Sequence, residues 1–239
     1  MRALRTRSST LLKISEIFHS IQGEGALVGV PSVFVRTSGC NLRCTWCDTP
    51  YTSWQPEGEE RSVGSIVAEV AGYGASHVVI TGGEPMIAPQ IGELTEALAG
   101  RLKPHITIET AGTVDAQVRC HLMSISPKLA NSTPHTRDNG RWGDQHERLR
   151  YQPEILRRLI ERYPYQLKFV IAEPGDVEQV NAIVGEIGAS RSCVVLMPEG
   201  VDAATLAERG RWLAEIAKQE GFRMTPRLHI DLWGNRRGV

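Results

Sequence analysis

Short apolar runs alternate with longer amphipathic stretches along most of this chain. The short runs, at residues 14–18, 32–37, 77–81, 105–109, 122–126, 166–171, 192–197 and 228–232, are rich in Val and Ile, as strands of a buried parallel sheet are. Between many of them the apolar residues recur at helical spacing. In residues 63–72 they fall at Val63, Ile66, Val67 and Val70, and residues 87–99, 153–163, 177–188 and 203–220 are similar. Ser62 and Asp202 stand where N-caps belong. This alternation predicts an α/β fold with a mainly parallel sheet, open or curved into a barrel. In either form ligands gather at the C-terminal ends of the strands.

Polar and Gly-rich loops fall at those ends. A cysteine cluster follows the strand ending near Thr37. Thr81-Gly82-Gly83-Glu84-Pro85, Glu109-Thr110-Ala111-Gly112, Ser126-Pro127-Lys128 and Met197-Pro198-Glu199-Gly200 follow later strands, so five loops share one rim. Residues 129–152 break the rhythm, being polar and without clear period. Loops of that length are uncommon in compact domains unless functional or disordered, and this one is expected to be a mobile surface loop, with a lid role for residues 131–145. Residues 1–13 are rich in Arg, Ser and Thr and lack acids, as an organelle transit segment does. The stretch is short and has no apolar region for secretion, so residues 1–12 are expected to be a loose tail ahead of one domain over 13–239.

Charge and composition narrow the function classes. The 27 basic and 27 acidic side chains cancel, which excludes a strongly basic nucleic-acid binder and a charge-driven disordered chain. No run approaches the roughly 18 apolar residues of a membrane span. The expected partners therefore include no nucleic acid and no membrane. Five cysteines are odd in number and sparse for 239 residues, which argues against a disulfide framework and for a reducing, cytoplasmic setting.

Three of the five cysteines, Cys40, Cys44 and Cys47, stand as C-x3-C-x2-C within CNLRCTWCD. Thiolates so spaced wrap a loop around one metal centre. A structural zinc site takes four protein ligands, and no fourth is evident nearby. Three thiolates instead suit a [4Fe-4S] cluster with one iron open to a small molecule. A zinc knob with a distant fourth ligand, or unligated thiols, are the alternatives. Cys120 and Cys193 read as small buried hydrophobes.

The C-x3-C-x2-C motif after an early strand, with Gly82-Gly83-Glu84-Pro85 after a later one, resembles the signature of the radical S-adenosylmethionine (SAM) superfamily. Three further segments are similar to the 7-carboxy-7-deazaguanine synthases within it: Glu16-Ile17-Phe18-His19-Ser20-Ile21-Gln22-Gly23-Glu24-Gly25, Val35-Arg36-Thr37-Ser38-Gly39-Cys40-Asn41-Leu42, and Asp48-Thr49 after the last cysteine. The resemblance runs from Lys13 through Met197.

The resemblance implies an incomplete, modified TIM-like barrel. It implies a [4Fe-4S] cluster on Cys40, Cys44 and Cys47 whose open iron chelates SAM. Trp46, Asp48, Gly83, Glu84, Thr110, Ser126, Lys128, Met197 and Pro198 are then the SAM-binding residues, with Trp46 and Met197 near adenine and Glu84 on the amino group. Ile21, Gln22, Gly23 and Thr81 line a pterin, Arg36 takes its carboxylate, and Thr49 is a Mg2+ ligand with Asp48 beside it. Glu109 stands near the ribose. Lys168 is left unassigned, and His229 reads as a structural histidine on a strand.

The implied reaction converts 6-carboxy-5,6,7,8-tetrahydropterin to 7-carboxy-7-deazaguanine with loss of ammonia, as in queuosine biosynthesis. An electron passed to SAM generates a 5′-deoxyadenosyl radical that abstracts and later returns hydrogen. A one-electron donor such as flavodoxin or ferredoxin and a homodimer are implied with it. The competing readings are a glycyl-radical-enzyme activase using the same cluster and SAM, an Fe–S electron carrier, and a zinc-stabilised interaction module.

Overall fold

The computed structural model describes residues 11–239. The elements run β1 (Leu11–Ile21), β2 (Pro31–Thr37), α1 (Pro50–Ser53), β3 (Glu59–Ser62), α2 (Val63–Tyr73), β4 (His77–Gly82), α3 (Ile91–Arg101), β5 (His105–Thr110), β6 (Leu122–Ile125), α4 (Gly143–Arg150), α5 (Pro153–Arg162), β7 (Tyr165–Ile171), α6 (Asp176–Ile187), β8 (Val194–Pro198), α7 (Ala203–Glu220), β9 (Arg223–Met224) and α8 (Leu228–Trp233). Residues 1–10 of the expected tail lie outside the described residues. Leu11 and Leu12, assigned to that tail, belong to β1, and Leu12 is buried.

The nine strands of the described residues form one sheet in the order β3-β1-β2-β4-β5-β6-β7-β8-β9. β1 is antiparallel to β2 and β3. Every neighbouring pair from β2–β4 to β8–β9 is parallel. Among the described residues β3 and β9 are the sheet's edges, so the barrel is open, as expected. β3 is polar throughout and β9 is only two residues long, which explains why hydrophobic runs gave no sign of them.

The parallel strands are not apolar on both faces. Val33, Val35, Val78, Ile80, Ile106, Ile108, Met123, Ile125, Leu167, Phe169, Val194 and Leu196 share one core cluster with the helices. The intervening residues Arg36, Thr81, Glu109, Ser124, Lys168 and Met197 line a cavity on the other face. The period of two places one set against helices and the other around the cavity.

The helices follow their sequence signals. Ser62 Oγ accepts the Ser65 N–H at 3.2 Å and Asp202 Oδ1 the Thr205 N–H at 2.9 Å, capping α2 and α7 as anticipated. α3 starts later than expected because Pro85–Ile87 form a separate 3-10 turn.

Two expectations are overturned. Residues 228–232 form helix α8, not a strand. Their alternation was too short to separate the two periods, and local bonds such as Gly234 N–H to Ile230 O at 2.8 Å close a helical turn. Residues 129–152 are not a structureless loop. They contain two 3-10 turns and helix α4, pinned to the cysteine loop.

Candidate active site

The cysteine loop leaves β2 at Thr37 and ends at α1. It has little backbone pairing of its own, so its carbonyls and N–H groups are met from outside. Gly39 N–H donates to Thr52 O at 2.8 Å, and Glu84 N–H donates to Gly39 O at 2.9 Å. Trp54 Nε1–H donates to Cys44 O at 3.0 Å, and Arg43 Nη1 reaches Cys40 O at 2.7 Å.

The polar segment supplies the remaining support. Arg43 N–H donates to Nδ1 of buried His146 at 3.1 Å, which fixes the proton on Nε2. Nε2 then donates to Ser132 Oγ at 2.9 Å, and Ser132 Oγ donates to Leu129 O at 2.6 Å. Thr45 N–H meets Ser132 O at 2.8 Å, Trp46 Nε1–H meets Asn131 O at 3.1 Å, and Arg137 Nη1 meets Thr45 O at 2.8 Å. Residues 131–145, for which a lid role is expected, brace this loop. Buried polar partners that satisfy one another hold it there.

The three thiols carry no disulfide. Cys44 packs with Leu42, Ala111, Cys40, Cys47 and Trp46. Burial pushes Cys40 and Cys44 up to about 12. Thiolates in such a place need the positive charge of a metal group. Three thiols with no fourth protein donor beside them fit an iron–sulfur cluster with an open position better than a four-ligand zinc knob.

Opposite the thiols stands the turn after β4. Gly82 has φ 142°, and a Cβ there would meet Thr37 O at 2.2 Å. Glu84 is buried and turned away from the cavity. Its Oε1 accepts Thr110 Oγ1–H at 2.8 Å and Met86 N–H at 3.0 Å, and its Oε2 accepts Ala111 N–H at 2.7 Å. Burial raises its carboxyl pKa and these bonds oppose that shift. In this structure Glu84 braces the turn, which leaves backbone at Gly82 and Gly83 facing the cavity.

The cavity measures about 690 Å³ and is lined from the ends of β1, β2, β4, β5, β6, β7 and β8. Ile21, Gln22, Gly23, Arg36, Cys40, Cys44, Trp46, Cys47, Asp48, Thr49, Thr81, Gly83, Thr110, Ser126, Lys128 and Met197 all line it, and Glu84 and Pro198 do not. Lys128 Nζ donates to Ser126 Oγ at 2.8 Å and lies 5.6 Å from the Trp46 ring centroid. At the other end Glu109 accepts Gln22 Nε2–H at 3.1 Å and Thr81 Oγ1–H at 2.8 Å. Glu109 thus holds Gln22 and Thr81 together on the cavity wall.

Glu24, Lys168, Arg227 and His229 also line the cavity and were given no role there from sequence. Lys168 and Arg227, both buried, converge on Glu24, and Arg227 also pairs with Asp48. Arg227 Nη1 donates to Gly200 O at 2.6 Å. Burial alone would raise the Glu24 and Asp48 carboxyls, but Lys168 and Arg227 hold Glu24 far below the ordinary range, and Arg227 lowers Asp48. His229, on α8, fills the space that a Cβ on Gly23 would take, 2.0 Å from its Nδ1. Lys168 and Glu109 were detectable as polar residues at alternate strand positions. His229 was hidden by the strand assigned over 228–232, and Arg227, just ahead of it, carried no motif signal.

The model of the radical SAM superfamily matches residues 34–150. A 7-carboxy-7-deazaguanine synthase of Halobacterium salinarum is 44% identical over 235 residues, covering 94% of this chain and 91% of that one. A synthase of the same name from Aquifex aeolicus is 43% identical over 231 residues, covering 93% and 94%. Among solved structures, QueE from Escherichia coli superposes with a TM-score of 0.68 at 25% identity, covering 92% of this chain and 95% of that chain. SuiB from Streptococcus suis superposes at 0.54 with 14% identity, covering 81% and 47%, a likeness of fold.

Proposed function

The chain belongs to the 7-carboxy-7-deazaguanine synthase family of radical SAM enzymes, and on that premise we propose that it converts 6-carboxy-5,6,7,8-tetrahydropterin to 7-carboxy-7-deazaguanine with loss of ammonia. The observation that carries this reading is the one cavity with three thiols at one end and Arg36, Thr81, Gln22 and Glu109 at the other. An activase must present such a site to a protein loop. The relatives, named as synthases of a small molecule, favour the first reading.

The residues divide by chemistry. Cys40, Cys44 and Cys47 hold the [4Fe-4S] cluster, which with SAM supplies the one-electron chemistry when bound. Trp46, Gly83, Thr110, Ser126, Lys128 and Met197 surround SAM, and the braced turn lets the Gly83 backbone approach its ammonium. Arg36 takes the substrate carboxylate, for which a guanidinium fork is suited. Gln22, Thr81 and Glu109 present donors and acceptors to the pterin ring, and Ile21 and Gly23 shape its berth. Thr49 offers a hard hydroxyl oxygen to Mg2+, with Asp48 adding charge beside it. Asp48 also pairs with Arg227, which ties that position to Glu24 and the substrate end. The walls exclude water from the reacting centre. A flavodoxin- or ferredoxin-like carrier as electron source and a homodimer as the active unit complete the proposal, and both rest on the family resemblance.

The test is anaerobic reconstitution with iron and sulfide, followed by metal analysis and SAM-binding measurements. The expected protein holds four irons per chain and binds SAM, and the triple variant Cys40→Ala, Cys44→Ala, Cys47→Ala loses both. Full iron loading in the triple variant would assign the cluster to other residues.

A further inference from the structure

The antiparallel pair β1–β2 contains an irregularity whose effect is local. Ile14 pairs with Thr37, yet Glu16 pairs with Arg36, so Ser15 is an extra residue on β1. Leu12 and Ile14 belong to the apolar core. Without the extra residue Glu16 would follow them onto that face, because side chains alternate with a period of two. With it, Glu16 comes onto the face of Arg36, and Phe18 further along lines the cavity. Bulges beside active sites commonly re-aim a side chain in this way.

What the bulge re-aims is a carboxylate with three donors. Arg36 Nε–H reaches Glu16 Oε1 at 2.6 Å, and Tyr51 O–H reaches the same oxygen at 3.1 Å. Arg237 Nε–H reaches Oε2 at 3.2 Å. Arg237 also donates to Ser15 Oγ at 3.1 Å and lies 4.1 Å from the Tyr51 ring centroid. The bulge residue, the segment after the cysteine loop and the C-terminal segment thus meet at Glu16.

The consequence for Arg36 is geometric. Its Nε edge is occupied, and the Phe18 ring lies 5.5 Å from the guanidinium carbon. Its Nη1 and Nη2 groups have no hydrogen-bond partner among the described residues, and the side chain lines the cavity. A guanidinium held by one edge over an aromatic face offers its other edge to a carboxylate. Glu16 itself does not line the cavity.

We propose that Glu16 is the positioning residue for Arg36 and sets the enzyme's selectivity for a carboxylated pterin. It aims the free edge of Arg36 at the substrate carboxylate while remaining out of contact with it. The proposal rests on the reading that Arg36 takes that carboxylate.

The experiment compares the binding of 6-carboxypterin with that of unsubstituted pterin, on reconstituted enzyme with SAM present. Wild type, Arg36→Ala, Glu16→Ala, Glu16→Gln and the double variant are measured. Arg36→Ala should weaken 6-carboxypterin about a hundredfold and pterin little. Glu16→Ala should weaken 6-carboxypterin about tenfold and leave pterin within twofold, with Glu16→Gln intermediate. The double variant should bind no worse than Arg36→Ala alone, because the two act through one contact. Equal weakening of both ligands, or wild-type selectivity, in the Glu16 variants beside a selective Arg36→Ala overturns the positioning role and leaves the Arg36 reading intact. An unselective Arg36→Ala overturns that reading and the positioning role with it. If Glu16→Ala does not fold, Glu16→Gln decides by the same criterion.

Discussion

Gly83→Ala is expected to cut turnover by about a hundredfold, because the added methyl displaces the cysteine loop. A Cβ on Gly83 would lie 2.2 Å from Gly39 O, 2.6 Å from Gly39 C and 2.7 Å from Thr52 O. All three are backbone atoms and none can rotate away. Gly39 immediately precedes Cys40, and its N–H is bonded to that same Thr52 carbonyl. The methyl therefore drives apart the SAM-facing turn and the loop that carries the cluster ligands. Overpacking of this kind costs about 1–3 kcal/mol, which a folded domain survives. The position has no positive φ, so the effect is steric and not conformational. Gly64→Ala, in α2 with nothing within 4 Å of its Cβ, is the control and should leave turnover unchanged. Measured side by side, full turnover and full iron content in Gly83→Ala would show that the turn and the loop are not rigidly joined.

Glu24→Ala is expected to be the most destabilising single change in the cavity wall. It removes the carboxylate to which buried Lys168 and Arg227 both turn. Leaving a buried charge uncompensated costs about 3–5 kcal/mol, a large part of a domain's 5–15 kcal/mol. Arg227 keeps Asp48 in direct contact, whereas Lys168 has no second ion pair among the described residues and feels only the more distant Glu109. Glu24→Ala combined with Lys168→Met should therefore be more stable than Glu24→Ala alone. The pH dependence follows in sign. A carboxyl held below its ordinary 4.5 stabilises the fold above that value, and the contribution fades as pH falls further. Wild type should lose thermal stability from about pH 4.5 downward, and Glu24→Ala should lose less over that range. Thermal melts of the three proteins at neutral and acidic pH test this. A Glu24→Ala melt within a degree of wild type would mean the charges are not confined as the structure has them.

Much of this site was legible in the sequence. The strand–helix rhythm located seven of the nine strands, and the loops at their C-terminal ends carried the chemistry that now faces one cavity. Motif spacing located the thiols and the Gly-Gly turn, which local chain geometry fixes, and the family resemblance pointed to Arg36 and Thr81, which line the same cavity. Residues that act through long-range pairing were not legible. Glu84 carries the same motif signal whether it faces a ligand or caps its own turn, and only the partners Thr110 and Ala111 decide. His146 is a lone histidine in a polar stretch until Arg43 N–H and Ser132 are seen on its two nitrogens. Within Gln166-Leu167-Lys168-Phe169 the sequence leaves Lys168 free to point into the barrel or outward, and only its partner Glu24 decides.

The central claim is that this cavity rearranges a carboxylated tetrahydropterin. Mass spectrometry of an anaerobic reaction containing the reconstituted protein, SAM, reductant, Mg2+ and 6-carboxy-5,6,7,8-tetrahydropterin tests it most directly. The account predicts 7-carboxy-7-deazaguanine, formed with release of ammonia and absent when Cys40, Cys44 and Cys47 are replaced. Cleavage of SAM with the pterin recovered unchanged would contradict it and return the activase reading to first place.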